Sequence, residues 1–486
     1  MVPAVAACGV RVLTGPHPID DAFITFRYAR NLAEGLGLVY NPGEWVLGTT
    51  TPLWAVLLSG GHALGFTDLP WLATALSAVA DGASAGLLSV LALRFAGRWW
   101  AGLLVGLAWA LNPMSVAVAV GGMETSLFVL VSLASLALAA ANRRLPAAAL
   151  AGLATLIRPE GVLLASVVLA WAWYRGCGLP IRAGLVAAAP VLTAGLLLGL
   201  RYGSPLPHSM AAKQVAYQGG WPLTNTVALV MHAGLPGWST YLLAAVPAAV
   251  GLLVAAVGAA TLLYLVRLGV PWLGRQGLAW QPFAAFAAVY FVFYVVVGVR
   301  GIRLFPWYLV PVSPFYLLGA AAGLTRLGQA GAPWLAAALV VWQLPAIDWG
   351  QPLLPNGVTF WRESALFDAG RELRQALPAT AVVAAPEIGA LGYASNLRIL
   401  DTVGLVSPAA LRYYPLPIEQ LATDNAIPAR LIEDQRPEAV VTMDAFAARS
   451  LLPDPAFQRD YRLEQSYAAP VWASQHLLLF VRREAQ

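Results

Sequence analysis

Two adjacent carboxylates, Asp20 and Asp21, stand in the segment His17-Pro18-Ile19-Asp20-Asp21-Ala22-Phe23-Ile24-Thr25-Phe26-Arg27-Tyr28-Ala29-Arg30. Neighbouring carboxylates oppose each other's ionisation, so each raises the other's pKa, and one is then suited to act as a general base. The spacing of Phe23, Phe26 and Ala29-Arg30 predicts an amphipathic helix here, and Asp20 could equally serve as its N-cap. Gly35 to Trp45 follows as a turn-rich stretch. Arg27 and, beyond it, Tyr40, Asn41, Glu44 and Trp45 supply polar and aromatic groups able to hold a sugar. Thr49-Thr50-Thr51-Pro52 then caps a further apolar helix.

Three more turns join helix breakers to polar side chains: Gly121-Gly122-Met123-Glu124-Thr125, Arg158-Pro159-Glu160-Gly161 and Tyr202-Gly203-Ser204-Pro205-Leu206-Pro207-His208. Glu124 and Glu160 join the sugar-binding candidates. Arg158, Lys213, Arg300, Arg303 and His208 are candidates for a phosphate carried on a lipid, because charge pairing is strong in a half-desolvated site. Lys213 is the sole lysine of the chain. For each of these cations the alternative is pairing with a nearby acid or a lipid headgroup.

The elements that must position these residues are membrane helices. Of 486 residues 59% are hydrophobic and 11% are charged, and the mean hydropathy is +0.69. An ordinary soluble domain carries about a quarter charged residues. Apolar runs cover 1 to 15, 69 to 93, 99 to 120, 125 to 141, 145 to 157, 161 to 174, 183 to 200, 237 to 266, 282 to 299, 304 to 323 and 333 to 350. They amount to about eleven spans. The run from Thr51 to Phe66 is read as dipping into the membrane without crossing it. With that choice one side carries Arg94, Arg98, Arg143, Arg144, Arg175, Arg182, Arg267, Arg275 and Arg326 and no acid, which marks it as cytoplasmic. Among the acids of the membrane part only Asp81 stays off the outer face, inside a span.

Residues 355–486 hold 12 of the 29 basic and 15 of the 24 acidic residues, so they form a separate soluble domain. The division is a transmembrane module over 1–350, with an outer loop over 16–68, and an extracytoplasmic α/β domain over 355–486. Strands are expected at 381–385, 398–401, 439–442 and 476–481, behind an amphipathic helix over 362–377. Glu387 and Asp401-Thr402-Val403-Gly404 either face an active site or are structural turn residues. The fold class is therefore an α-helical polytopic protein of a plasma (inner) membrane with a C-terminal α/β domain outside. The pI near 9.3 reflects the orientation code and not a nucleic-acid partner. Cys8 and Cys177, and the scattered His17, His62, His208, His232 and His476, form no disulfide framework or zinc-ligand pattern.

Asp20 to Leu32, Gly37-Leu38-Val39-Tyr40-Asn41-Pro42-Gly43-Glu44, Gly122-Met123-Glu124-Thr125, Arg158-Pro159-Glu160 and Tyr202 to Pro207 together resemble the GT-C membrane glycosyltransferases. Within them the sequence is most similar to the terminal β-arabinofuranosyltransferases of the mycobacterial cell wall and their bacterial relatives. The likeness covers most of residues 16 to 320. It implies transfer of arabinofuranose or another pentose or hexose from a polyprenyl-phosphate donor to a cell-envelope glycan or glycolipid acceptor on the outer face. An acid of the first loop is the implied base, Asp20 or Asp21, with Asp20 preferred. A divalent cation, Mg or Mn, is a candidate cofactor, held by Asp20 and Asp21. The sequence departs from the pattern at His208, where Asn is expected, and at Arg300-Gly301-Ile302-Arg303.

The chemistry fits an inverting displacement. A glycosyl phosphate needs a base for the acceptor hydroxyl and cations for the released phosphate, whereas glycoside hydrolysis would need two separated carboxylates. Two other readings stand beside it. One is a transporter or flippase of a lipid-linked sugar, with Asp81 in its pathway. The other is a non-catalytic glycan-binding membrane protein.

Overall fold

The computed structural model describes residues 1–176, 178–216, 280–299, 304–324, 333–334, 337, 358–421, 425–471 and 473–483. Helices α1 to α11 run Val2–Thr14, Asp20–Ala33, Pro52–Ala63, Leu69–Ala96, Trp99–Ala110, Pro113–Val120, Thr125–Ala140, Arg144–Ile157, Gly161–Gly176, Ile181–Tyr202 and His208–Ala216. They are followed by α12 (Gln281–Val299), α13 (Ser313–Leu324), α14 (Val358–Ala376), β1 (Val382–Ala385), α15 (Gly389–Ser395), β2 (Arg398–Asp401), α16 (Ala429–Gln435), β3 (Ala439–Met443), β4 (Tyr461–Val471) and β5 (Ser474–Arg482).

Two of these helices, α4 and α10, are long and apolar enough to cross a membrane. The pair α5 and α6, bent by 47° at the break between them, passes the same test only when taken together, as a broken span or a re-entrant loop. The run at 99 to 120, read as one continuous span, is thus broken. Asn112 accepts a bond from the Ser115 amide and Pro113 opens the next helix, so the chain stops one helix and caps another there. The run at 304 to 323 differs too: 3-10 turns at Pro306–Tyr308 and Val310–Val312 precede α13. The expected runs at 237 to 266 and 333 to 350 lie almost wholly outside the described residues, and the count of eleven rests partly on them.

The chain divides into two compact units. The first comprises Met1–Pro16, Trp71–Ala194 and Trp221–Pro355, and the second His17–Pro70, Gly195–Gly220 and Asn356–Gln486. Composition joined the first loop to the membrane module; packing joins it to the C-terminal residues.

In the first unit the helices approach closely through small residues. Ala147, Ala148, Ala151 and Ala154 line the buried face of α8 between α7 and α9, the small-residue packing that lets helix backbones meet without a hydrophobic driving force in lipid. A buried polar knot ties four helices together. Arg11 on α1 donates through Nε to Asp81 Oδ2 on α4 at 2.9 Å, and through an Nη to Ser115 Oγ at 2.7 Å. Ser126 Oγ on α7 donates to the same Asp81 oxygen at 3.1 Å. Asp81, considered as a pathway residue, therefore serves as the counter-charge that makes a buried arginine tolerable.

In the second unit a five-stranded sheet of order β2-β1-β3-β5-β4 forms the scaffold. The strands β2, β1 and β3 are parallel, while β5 runs antiparallel to β3 and to β4. Parallel strands are covered on both faces, which is why the short runs at β1 and β3 are nearly all apolar and buried. The edge strand β4 was not expected from the sequence; most of its residues are exposed, so no apolar alternation marks it.

Candidate active site

Asp20 is the first residue of α2, and Ile19 occupies the N-cap position. The carboxylate does not cap its own helix. Its oxygens accept the backbone amides of Gly389, at 3.0 Å, and Ala390, at 2.8 Å, which open α15. Helix N-termini present free amides and positive partial charge, so a carboxylate there is favourable. The approach is close enough to require glycine: a Cβ at Gly389 would fall on the Asp20 carbonyl, and one at Gly392 on the Tyr40 hydroxyl. Asp20 is only 7% exposed, whereas Asp21 is exposed.

Around Asp20 lies a cluster whose members are all nine-tenths buried. The Asp20 amide donates to Glu363 Oε1 at 3.0 Å. Arg362 Nη1 donates to Glu387 Oε1 at 2.9 Å, and Arg362 also binds Glu363. Three carboxylates thus face one guanidinium, and full ionisation would leave two uncompensated buried charges. Burial raises the pKa of Asp20 and of Glu363 against the pull of Arg362. Burial pushes Glu387 up to about 8, again opposed by Arg362 and aided by the charges of Asp20, Glu363 and Asp21. The same carboxylates hold Arg362 above its ordinary value, although burial alone would lower it. The cluster titrates as a unit and keeps a proton at neutral pH.

A pH dependence follows. The folded-state pKa of Glu387, about 8, exceeds its ordinary 4.5, so the folded unit binds the extra proton between those values. Its contribution is complete below pH 4.5 and is lost as pH rises through 8. Thermal unfolding between pH 5 and 9 should therefore show stability falling toward pH 8 and levelling above it. Glu387→Gln, which mimics the protonated form, should flatten that slope; an unchanged slope in the variant would assign the proton elsewhere.

The other first-loop candidates join the loop to the C-terminal residues. Arg27, wholly buried, donates to the carbonyls of Tyr40 at 2.9 Å, Gly392 at 2.7 Å and Leu397 at 2.6 Å, and lies over the Tyr40 ring. The Tyr40 hydroxyl donates to Ile388 O at 2.5 Å. Asn41 pairs through its amide with both the N–H and the C=O of Ile399, extending the edge of β2. Glu44 pairs with Arg398 at 2.6 Å. Of the five sugar-binding candidates in this region, four are therefore engaged in holding the unit together, and Trp45 alone is 36% exposed.

Arg158, Glu124 and Glu160 come together in the first unit, but as an ion cluster. Arg158 reaches Glu124 Oε1 at 3.1 Å and Glu160 Oε1 at 2.8 Å, Tyr294 donates to Glu160, and the three charged residues are 3%, 4% and 8% exposed. Instead of an open phosphate contact, Arg158 has two carboxylates. Lys213 lies on α11 and His208 opens it, while Arg300 and Arg303 lie outside the described residues. Burial lowers the His208 pKa, which leaves the imidazole neutral and weakens it as a phosphate partner. Asp401 accepts the amides of Val403 and Val406 at 2.9 and 2.8 Å, a turn-forming role, and burial raises it to about 6.

Both Asp20 oxygens are taken by amides, and among the described residues no three His, Cys, Asp or Glu side chains converge to hold a metal. Glu363 was not singled out in the sequence, because Arg362-Glu363 on an amphipathic helix reads as a solvated charge pair.

The whole chain matches solved structures in fold. ArnT from Cupriavidus metallidurans bound to undecaprenyl phosphate matches with a TM-score of 0.57 and 16% identity, over 100% of this chain and 97% of that one. Its apo state matches with a TM-score of 0.57 and 15% identity, over 99% and 97%. The apo Archaeoglobus fulgidus oligosaccharyltransferase matches with 0.55 and 12%, over 100% and 74%. At these identities the likeness is one of fold: the chain shares the fold of these three structures. A family model described as a domain of unknown function, DUF8728, matches residues 359–480, which contain the sheet of the second unit up to the last residues of β5, together with Arg362, Glu363 and Glu387. No curated protein matches the chain.

Proposed function

We propose that this GT-C chain transfers a sugar from a polyprenyl-phosphate carrier to a glycan or glycolipid acceptor at the outer face of a plasma membrane, with Asp21 as the base. The observation that carries the reading is the match of the full chain to ArnT solved with undecaprenyl phosphate. The acceptor hydroxyl gives its proton to Asp21, its oxygen bonds to the anomeric carbon, and the carbon–oxygen bond to the phosphate breaks with the electron pair leaving on the polyprenyl phosphate. No acid is needed on that leaving group. Asp20 holds the start of α2 against α15, and burial raises the pKa of Asp20, Glu363 and Glu387 against the pull of Arg362. Lys213, on α11 of the same unit as Asp21, is the cation assigned to the released phosphate. The first-loop resemblance favours arabinofuranose as the sugar.

Undecaprenyl phosphate added to the purified protein should raise its unfolding midpoint, since a ligand at a hundredfold its Kd stabilises by about 2.7 kcal/mol. Undecaprenol, which lacks the phosphate, should give a clearly smaller shift. Equal shifts for the two lipids would remove the phosphate site from the proposal. Asp81, the residue on which the transporter reading leaned, is paired with Arg11.

A further inference from the structure

Within the second unit, a cavity of about 390 Å³ opens beside Trp45, lined also by Tyr202, Leu206, His208, Met210 and Gln214. Its volume lies near the lower end of small-molecule sites, roughly 300–1,000 Å³. None of the residues that hold Asp20 or the Arg362 cluster lines it.

The Trp45 ring is fixed from several directions. The Arg201 guanidinium carbon sits 3.2 Å from its centroid, and the Tyr202 ring lies at 5.9 Å, tilted by 58°. Tyr202 is anchored by its hydroxyl to the Leu38 carbonyl at 2.6 Å. Gly37, at φ 95°, packs so closely on the indole that a Cβ there would collide with it. A rigid, part-exposed aromatic ring is a low-entropy platform. The apolar C–H face of a sugar ring stacks on such a surface.

The polar groups suit hydroxyls. The His208 side chain bonds the Gly404 backbone, and burial keeps the ring neutral. Its Nε2 has no hydrogen-bond partner among the described residues. A neutral imidazole donating through one nitrogen accepts through the other, so a hydroxyl can donate to Nε2. Gln214 adds an exposed amide able to donate and accept. The guanidinium stacked on Trp45 keeps its in-plane N–H donors at the rim. A polyprenyl chain would need a long apolar groove with none of these groups.

We infer that this cavity binds a sugar ring of the acceptor glycan, stacked on Trp45 and hydrogen-bonded to His208 and Gln214. The word acceptor rests on the transferase reading; the carbohydrate class rests on the cavity. The test uses the full chain in detergent and saturation-transfer NMR, with an arabinofuranosyl hexasaccharide, mannohexaose and undecaprenyl phosphate as separate probes. At least one oligosaccharide should bind, and Trp45→Ala should weaken it about tenfold or more, with Trp45→Phe closer to wild type. Met210→Trp, which fills the cavity from a partly exposed position and leaves the platform intact, should weaken it comparably. The inference is overturned if neither oligosaccharide binds wild type, if variants that melt like wild type bind undiminished, or if the lost binding is that of undecaprenyl phosphate. Trp45-dependent oligosaccharide binding without any sugar transfer would sink the transferase reading and leave the carbohydrate site standing.

Discussion

Asp21→Asn is expected to lower the rate of sugar transfer by about two to four powers of ten, the usual contribution of a general base, while leaving the unfolding midpoint unchanged. Asp21 is exposed in the first turn of α2, and its side chain has no hydrogen bond within the described residues that the substitution would break. Asp20→Asn is expected to do the reverse. It removes a charged acceptor from two buried amides of α15, at a cost of about 1–3 kcal/mol, and leaves the transfer rate per folded molecule largely intact. Steady-state transfer and thermal melting of the two variants separate the roles. A folded Asp20→Asn enzyme without activity, beside an active Asp21→Asn enzyme, would return the base to Asp20, the residue preferred from sequence.

Arg362→Met is expected to destabilise the second unit by about 3–5 kcal/mol, because it leaves Glu363 and Glu387 buried without their shared cation. For a unit of this size the melting midpoint should fall by roughly 10 °C. The two carboxyls would take up protons to survive burial, so the loss should be smallest at acid pH. Adding Glu387→Gln to Arg362→Met should recover part of it, since one of the stranded charges is then gone. A loss below about 1 kcal/mol, with no dependence on pH, would mean that solvent reaches the cluster.

The sequence displayed the general plan because that plan rests on local signals. Runs such as 69 to 93 and 183 to 200 correspond to the long apolar helices α4 and α10, and the strands expected at 381–385 and 439–442 correspond to the buried parallel strands Val382–Ala385 and Ala439–Met443. It was less informative where partners lie far apart in the chain. Arg11 and Asp81 are 70 residues apart and each looks anomalous alone, yet they neutralise each other. Arg27, Tyr40 and Asn41 form a motif of the kind that suggests ligand contact, but their partners are backbone groups near 388–399, some 350 residues onward. Polar residues that fasten one chain segment to another carry the same local signature as polar residues that fasten a ligand. The pair Asp20-Asp21 shows the limit most sharply. Two adjacent, chemically identical side chains on a helix necessarily point apart, and only the packing of α15 against α2 decides which one is buried.

Sugar transfer from a lipid phosphate can be followed with a labelled donor. Purified protein in detergent is incubated with a polyprenyl-phosphate carrying a radiolabelled sugar, arabinofuranose first, together with an oligosaccharide acceptor, and label in the acceptor is followed over time. Time-dependent labelling of the oligosaccharide with release of polyprenyl phosphate is expected, slowed by about two to four powers of ten in Asp21→Asn. Labelled lipid that binds the protein but never passes its sugar on, across a panel of pentose and hexose donors, would contradict it.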